Sequence, residues 1–434
     1  MIPAPRLFLL LALWMAAALA AAVLPDAIVF WIGTGAAIAL LAAADALAVS
    51  RLATPDCQRD VVGSLALGVW SGVRLRLHNP GRRPIALEVF DRFPPEVAAS
   101  GMPGRARIEA HGWVEMRYEI RPLERGELCF AAGQARVESP LGLWRRTIVL
   151  GERQCIKVYP NFAAVANYAL LATDNHLSML GIRLRQRRGE GMEFNQLREF
   201  REGDPLRQVD WKATSRLGKL ISREYQDERD QQIVFLVDCG RRMHAKDGEL
   251  SHFDHALNAV LLLSYVALRQ GDAVGLMGFG GDSRYLPPRK GAHQINQVLE
   301  SVYDMQAGTN SPDYAAAAAK LLTQLKKRSL VILVSNLRDE DNEELLPALQ
   351  ILRRKHLVLL ASLRERALGE ALDKPVENFE NALTHSASLI YLAERQKAHD
   401  AILASGAHCI DIEPEALPVA LVNRYLDIKR SGRL

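Results

Sequence analysis

Two long apolar runs open the chain and predict a pair of membrane-spanning helices. Leu7–Leu24 and Ala27–Ala44 contain no charged residue. At about 1.5 Å per residue, each run forms roughly 27 Å of helix, close to the ~30 Å hydrocarbon core of a bilayer. Pro25 and Asp26 separate the runs as turn residues. We therefore expect a tight helical hairpin that spans the membrane twice.

The basic residues around this hairpin predict its orientation. Arg6 precedes the first run, Arg51 and Arg59 follow the second, and the short connection between the runs has no basic residue. The positive-inside rule then places both ends in the cytoplasm. This predicts a multi-pass membrane protein with cytoplasmic soluble domains. The alternative is a signal peptide cleaved near Ala22, which a second apolar run directly after it disfavours.

Short alternating runs between about residues 61 and 159 predict a small antiparallel β-sandwich. Segments such as VRLRLHN, IALEVF and VEMRYEI alternate apolar and polar residues, and Gly and Pro separate them. Period-two alternation is typical of strands with one buried face. A region of about a hundred residues is the usual size of one sandwich.

After residue 230 the pattern changes to fully apolar strands alternating with amphipathic helices. QQIVFLVDC, DAVGLMGFG, SLVILVSN and HLVLLASL are strands of this kind. Such an order indicates a parallel sheet with helices on both faces, a doubly wound α/β domain. The predicted plan is a transmembrane hairpin (1–54), a β-sandwich (55–160), a mostly polar linker (161–230) and the α/β domain (231–434).

Composition narrows the class of protein. The 434 residues are 49% hydrophobic and 24% charged, and the net charge is only +4. This balance is typical of a globular protein and does not indicate nucleic-acid binding. A local basic cluster is interpreted as a solvated linker, with an acidic partner or an anionic lipid surface as the alternative; it comprises Arg183, Arg185, Arg187 and Arg188.

The five cysteines are widely scattered and predict no disulfide and no zinc site. They form no CxxC pair, and no His lies near them at metal-ligand spacing. Free, reduced thiols are consistent with a cytoplasmic location.

Residues that follow the predicted strands are the candidates for a site. Ligands of a doubly wound sheet bind outside the carboxyl ends of the strands. Asp238 follows the first strand, the loop Ala307–Asp313 lies further along, and Ser335 and Asn336 follow the SLVILV strand. We expect these loops to converge, and their oxygen atoms are of the type that binds hard cations.

These residues resemble a known fold and a known family. A strand ending in Asp238, a loop containing Thr309 and a strand ending at Ser335 are similar to the von Willebrand factor type A fold with its metal-ion-dependent adhesion site. The segment Arg198–Asp238, REFREGDPLRQVDWKATSRLGKLISREYQDERDQQIVFLVD, resembles the signature of the domain of unknown function 58 family. The segments RPLERGELCF and SPLGLW and the two apolar runs extend the resemblance over nearly the whole chain.

The family resemblance implies a partner. Members of the domain of unknown function 58 family are largely membrane proteins, and their genes commonly accompany genes for MoxR-type AAA+ ATPases. We therefore expect two partners, the lipid bilayer and an AAA+ ATPase, and the resemblance implies a location in a bacterial inner membrane.

Departures from the adhesion-site pattern argue against a metal. The pattern Asp-x-Ser-x-Ser is here Asp238, Gly240 and Arg242, so both serine oxygens are missing. Asn336 stands where an acid is expected, and only Asp238 and Thr309 match cleanly. Arg242 would repel a divalent cation. We expect no metal and no cofactor, with Arg242 paired to Asp238 instead.

The family signature has a structural and a functional interpretation. The preferred one is a clasp in which arginines pair with carboxylates and Trp211 fills a buried gap. The alternative is a docking surface, because Trp and Arg are common interface anchors. On the clasp interpretation, partner contact is carried by Arg241, Arg242 and Thr309. The signature residues are Gly203, Asp204, Arg207, Asp210, Trp211 and Arg216.

Enzyme motifs are missing from the sequence. There is no GxSxG, GxxxxGK[ST], HExxH or GxGxxG after a strand. His244, His252 and His255 lie close in sequence and are interpreted as solvated or capping residues, with a metal or acid–base site as the alternative. The expected function is a membrane-anchored, non-enzymatic interaction protein. The alternatives are a metal-dependent binding protein using a residual adhesion site and an unrecognised hydrolase.

Overall fold

The computed structural model describes residues 1–23, 27–161, 193–201, 204, 206–226, 231–338 and 342–432. The chain divides into two compact units, Met1–Val158 and Tyr159–Leu434. The predicted basic cluster and Gly203 lie outside the described residues.

The first unit begins with two apolar helices, α1 (Pro5–Val23) and α2 (Ala27–Ser50). They pack through Trp14 and Trp31, whose rings stack at 4.5 Å and whose indole N–H groups each donate to the other's backbone carbonyl at 3.0 Å. Among the described residues, α2 is long and apolar enough to cross a membrane, whereas the apolar stretch Pro5–Leu19 is shorter. One candidate span is thus found, and the second span stays a prediction.

Antiparallel strands form the rest of this unit and confirm the expected β-rich region. A sheet of five strands has the order β1-β11-β10-β5-β7, one of four has the order β2-β4-β8-β6, and one of three has the order β3-β12-β9. The strands are β1 (Ile2–Pro3), β2 (Asp56–Asp60), β3 (Ser64–Ala66), β4 (Ser71–His78), β5 (Ile85–Phe90), β6 (Val97–Ser100), β7 (Gly104–Ile108), β8 (Trp113–Pro122), β9 (Gly126–Phe130), β10 (Gly133–Glu138), β11 (Trp144–Leu150) and β12 (Gln154–Tyr159).

One-face burial explains these strands. In β4, Val73, Leu75 and Leu77 are buried and the residues between them are largely exposed. The alternation read from the sequence therefore corresponds directly to one buried face per strand.

The expectation of five free cysteines is wrong. Cys129 in β9 and Cys155 in β12 lie opposite each other in register and form a disulfide, while Cys57, Cys239 and Cys409 are free. The pair is 26 residues apart in sequence. Only the pairing of the two strands brings the sulfur atoms together, so no local motif revealed it.

The second unit begins with a small substructure and continues into an α/β sheet. Strands β13 (Glu193–Glu199) and β14 (Ile221–Gln226) pair with each other, and α3 (Trp211–Leu217) lies between them in sequence. The later strands are β15 (Gln232–Asp238), β16 (Lys246–Asp247), β17 (Leu250–Ser251), β18 (Ala273–Phe279), β19 (Tyr285–Arg289), β20 (Leu330–Ser335), β21 (Leu357–Leu363) and β22 (His408–Ile412). The later helices are α4 (His252–Arg269), α5 (His293–Val302), α6 (Tyr314–Gln324), α7 (Asn342–Arg353), α8 (Arg366–Asp373), α9 (Phe379–Ala404) and α10 (Leu417–Arg430).

The six-stranded sheet has the order β19-β18-β15-β20-β21-β22. Strand β19 is antiparallel to β18, and the other neighbours are parallel. Helices α4, α5 and α10 pack on one face and α6, α7 and α9 on the other. The mixed α/β class is therefore confirmed. Because the chain leaves β15 in one direction for β18 and β19 and later returns to β20 on its other side, the order reverses at β15.

Candidate functional site

Asp238 ends β15 at the point where the strand order reverses. Its side chain is fully buried, and its oxygens accept hydrogen bonds from Gly240 N at 2.7 Å and Ser335 Oγ at 2.6 Å. Ser335 Oγ also lies 3.1 Å from Tyr314 Oη. Buried carboxylates are stable when both oxygens are bonded in this way. Asp238 is therefore integrated into the sheet edge.

The loops expected to meet at Asp238 do so. Gly308 N donates to Cys239 O at 2.6 Å, and Arg241 N donates to Asn310 O at 2.9 Å. Thr309, between the two contacts, is exposed. The loop after β15 and the loop before α6 thus form one connected surface at the carboxyl end of the sheet.

The residues at this edge do not fit an adhesion-site metal. An ideal Cβ at Gly240 would lie 2.9 Å from Asp238 Oδ1 and 3.0 Å from both Asn310 O and Pro312 Cδ. A serine there would force Asp238 or the neighbouring loop to shift. The carboxylate of Asp238 bonds to Gly240 N and Ser335 instead. The pairing of Arg242 with Asp238 stays a prediction.

A second network of buried polar side chains lies beside the hydrogen bonds of Asp238 and Ser335. Asn336 is fully buried, and its Nδ2 donates to Glu365 Oε1 at 2.7 Å and lies 3.3 Å from His252 Nδ1. His252 Nε2 lies 2.9 Å from Asp247 Oδ2. The two carboxylates are thus linked through the His252 ring and the Asn336 amide.

The interpretation of the histidines as solvated or capping is wrong for two of the three. His252 is fully buried and His255 is 7% exposed, whereas His244 is exposed. The short β16–β17 hairpin explains the burial of His252 and His255, because it folds back on the start of α4. At that point His252 N donates to Ala245 O at 2.7 Å. Burial lowers the pKa of His255. Spacing along a helix does not reveal which face a distant hairpin covers.

Neither of these two hydrogen-bond networks contains an activated serine. Ser335 is 1% exposed and donates its hydroxyl proton to Asp238. Both ring nitrogens of His252 are bonded to other groups, Asp247 and Asn336. A serine nucleophile needs a base on its own hydroxyl and access for substrate. These residues therefore give no support to the hydrolase alternative.

Cys409 and His399 form a nucleophile–base contact at the far edge of the sheet. Cys409 Sγ lies 2.9 Å from His399 Nδ1, and His399 Nε2 lies 3.6 Å from Asp411 Oδ1. Burial, followed by the charge of Asp411, raises the pKa of the Cys409 thiol to about 12. A reactive cysteine needs a thiolate near neutral pH. We therefore interpret this group as packing between α9 and the edge strand β22.

The carboxylates of the family signature pair with arginines outside the signature set, Arg198 and Arg223. Asp204 binds the Arg198 guanidinium with both oxygens, at 2.7 and 2.8 Å. Asp210 accepts from Ala213 N at 3.0 Å, which caps α3, and pairs with Arg223 at 2.9 Å. These bonds lower the pKa of both carboxyl groups. The acidic half of the signature is thus structural.

Trp211 does not fill a buried gap, and this part of the prediction is wrong. Its side chain is 66% exposed, and Arg207 and Arg216 are exposed as well. The physical reason is its position, because Trp211 is the first residue of a helix of seven residues in which only Ala213 is buried. The same substructure exposes further apolar residues and several basic ones. We call these exposed residues together the Trp211 surface; it comprises Leu206, Arg207, Trp211, Lys212, Arg216, Leu217 and Leu220.

Comparisons with known proteins agree with the resemblance seen in the sequence. Residues 196–400 match the family model described as "Protein of unknown function DUF58". The uncharacterized protein YeaD of Bacillus subtilis is 21% identical over 263 residues, which are 60% of this chain and 63% of that protein. The chain thus spans less than two thirds of this relative.

Solved structures give only weak similarity. The CARDB domain of a Pyrococcus furiosus protein is 10% identical, with 25% of this chain and 90% of that chain covered and a TM-score of 0.18. A FixG-related protein from Vibrio parahaemolyticus is 8% identical, with coverage of 24% and 98% and a TM-score of 0.18. At these scores neither structure adds to the argument.

Proposed function

We propose that this protein is a membrane-anchored, non-enzymatic interaction protein that binds a partner protein through the Trp211 surface. The observation that carries the proposal is the 66% exposure of Trp211 on a helix fixed by a capped and paired Asp210. A large exposed aromatic residue on a rigid support is costly in water and typical of an interface anchor. The carboxylate clasp then serves to hold this anchor in position.

The charges of the Trp211 surface indicate the chemistry of the partner. Arg207, Lys212 and Arg216 are exposed on the same substructure as the apolar residues. A complementary partner presents an apolar pocket with an acidic rim, because opposite charges steer association and fix orientation. As the family resemblance implies, we propose a MoxR-type AAA+ ATPase, acting with this protein in the assembly or maturation of other proteins.

The α/β unit is proposed to be a von Willebrand factor type A-like domain with a degenerate adhesion site. The reversal of strand order at β15, the antiparallel edge strand β19 and the position of Asp238 support this. Its carboxyl-edge loops provide a second candidate docking surface through Arg241, Arg242 and Thr309. The same binding experiment distinguishes the two surfaces.

Replacement of Trp211 with alanine is expected to abolish partner binding and to change the free energy of unfolding by no more than about 0.5 kcal/mol, as for other exposed sites. The measurements are urea unfolding of the detergent-solubilised protein and affinity capture from the native membrane. Asp210→Ala is the matched comparison, because it removes a helix cap and an ion pair. It is expected to cost about 1 kcal/mol or more.

Thr309→Ala and Arg241→Ala are the controls for the other surface. If they release the captured partner and Trp211→Ala does not, the Trp211 surface is the wrong site. A large loss of stability in Trp211→Ala would show instead that Trp211 has a structural role.

A reporter fused after residue 434 is expected to report a cytoplasmic location. Arg6 and Arg51 flank the two helices. Arg146 adds a third basic residue at the end of α2, because it donates to Ser50 O at 3.0 Å. The Cys129–Cys155 disulfide argues for the opposite side, because such bonds persist mainly in oxidising compartments. Paired cytoplasmic-active and export-active reporters decide between them.

Trapping of thiols in intact cells gives an independent result on the same question. Alkylation before lysis shows whether Cys129 and Cys155 are bonded in the cell. Activity of the export-dependent reporter together with a bonded pair would overturn the cytoplasmic orientation.

A further inference from the structure

A carboxylate near the end of the long apolar helix is bound by a loop of the β-rich region. Asp45 in α2 is 1% exposed. It accepts hydrogen bonds from Ser139 Oγ at 2.5 Å, Leu141 N at 3.0 Å and Leu143 N at 3.2 Å. A charge on a lipid-embedded helix is costly unless such donors surround it. The loop Ser139–Trp144 supplies all three.

The same loop and the strand after it hold both helices. Ala4 N, just before α1, donates to Leu143 O at 2.8 Å. Trp144 Nε1 donates to Ala42 O in α2 at 2.8 Å. Arg146 Nη1 donates to Ser50 O at 3.0 Å, which satisfies a carbonyl that the end of α2 leaves open. The start of one helix and the end of the other are thereby fixed to β11.

The position of Asp45 sets the height of the loop relative to a bilayer. The charge-free run Ala27–Ala44 ends directly before Asp45 and corresponds to roughly 27 Å of helix, close to the ~30 Å hydrocarbon core. The bilayer surface therefore falls near Asp45, at the level of the loop that binds it. At the tip of this loop, Leu141 is 50% exposed.

We propose that the loop Ser139–Trp144 lies in the lipid headgroup layer and inserts Leu141, so that the β-rich unit is held against the bilayer. The occupant of this surface is the lipid itself. The Arg6 side chain lies beside this loop, with its Nη1 2.7 Å from the position that a Cβ on Gly142 would occupy. Arg6 is exposed. Arginine at this level can bind lipid phosphates. The inference rests on the membrane anchoring proposed above.

Fluorescence quenching by labelled lipid tests this placement in the full-length protein. A bimane label on Leu141→Cys is compared with one on Val149→Cys, in phosphatidylcholine–phosphatidylglycerol vesicles with a nitroxide on the headgroup. Val149 is 65% exposed near the far end of β11, the strand that follows the loop, about 20 Å from Leu143. Burial raises the pKa of Cys57 to about 11 and of Cys409 to about 12, so near pH 7 the exposed engineered thiol reacts first.

Quenching several-fold stronger at position 141 than at position 149 is the expected result. Asp45→Ala in the Leu141→Cys protein is expected to reduce the quenching towards the value at 149, because the loop loses its bond to α2. Co-flotation with the vesicles is measured on each sample. A protein that floats but shows equal quenching at both positions overturns the loop placement alone, and a protein that does not float overturns the anchoring as well.

Discussion

Replacement of Arg395 with alanine is expected to lower the free energy of unfolding of the α/β unit by about 3 to 5 kcal/mol, the usual cost of breaking a buried ion pair. The guanidinium is 2% exposed. It donates to Asp411 Oδ1 at 2.8 Å, Ser362 Oγ at 2.6 Å and Leu363 O at 2.7 Å, and also to Leu337 O. These groups lie at three neighbouring strand ends, so the loss is not confined to one contact.

Urea unfolding of the detergent-solubilised protein measures this loss. The matched control is Arg366→Ala, an exposed arginine that pairs with Glu370 one helical turn away at 2.9 Å. Exposed pairs of this type contribute about 0.3 to 0.5 kcal/mol. If Arg395→Ala costs no more than the control, the arginine does not organise this edge of the sheet.

The sequence predicted most of the fold because burial along a strand or helix is a local pattern. The apolar run of β15 is buried from Ile233 to Asp238, and alternating burial appears in β4 and β5. The carboxyl ends of parallel strands meet at one edge, so the convergence of Asp238, Ser335 and the loop of Thr309 also followed from the order of elements.

The errors in the site concern contacts that no local pattern encodes. Trp211 was expected to be buried from its residue type, yet its position as the first residue of a short helix exposes it. His252 is buried because a hairpin folds over the helix start. The Cys129–Cys155 bond depends on the register of β9 and β12. Each depends on where a distant segment packs.

The missing serine at position 240 has a physical explanation that the sequence alone did not give. The departure from Asp-x-Ser-x-Ser was visible, but it left open whether other oxygens replace the missing ones. At Gly240, the loop containing Asn310 and Pro312 lies only 3.0 Å from the position that a Cβ would occupy. The edge of the sheet is therefore built by close loop packing.

Replacement of Asp91 with alanine is expected to cost about 3 to 5 kcal/mol in the β-rich unit, because it leaves a buried arginine without its partner. Asp91 is 1% exposed; it binds Arg59 with both oxygens and accepts from Tyr118 Oη at 2.6 Å. The Arg59 side chain is only 7% exposed, so water cannot replace the lost carboxylate. Asp60→Ala, beside Arg59 in β2, is the matched control, since its pair with Arg74 is exposed and contributes at most about 1 kcal/mol. Equal midpoints of urea unfolding for the two variants would show that the buried pair does not stabilise this unit.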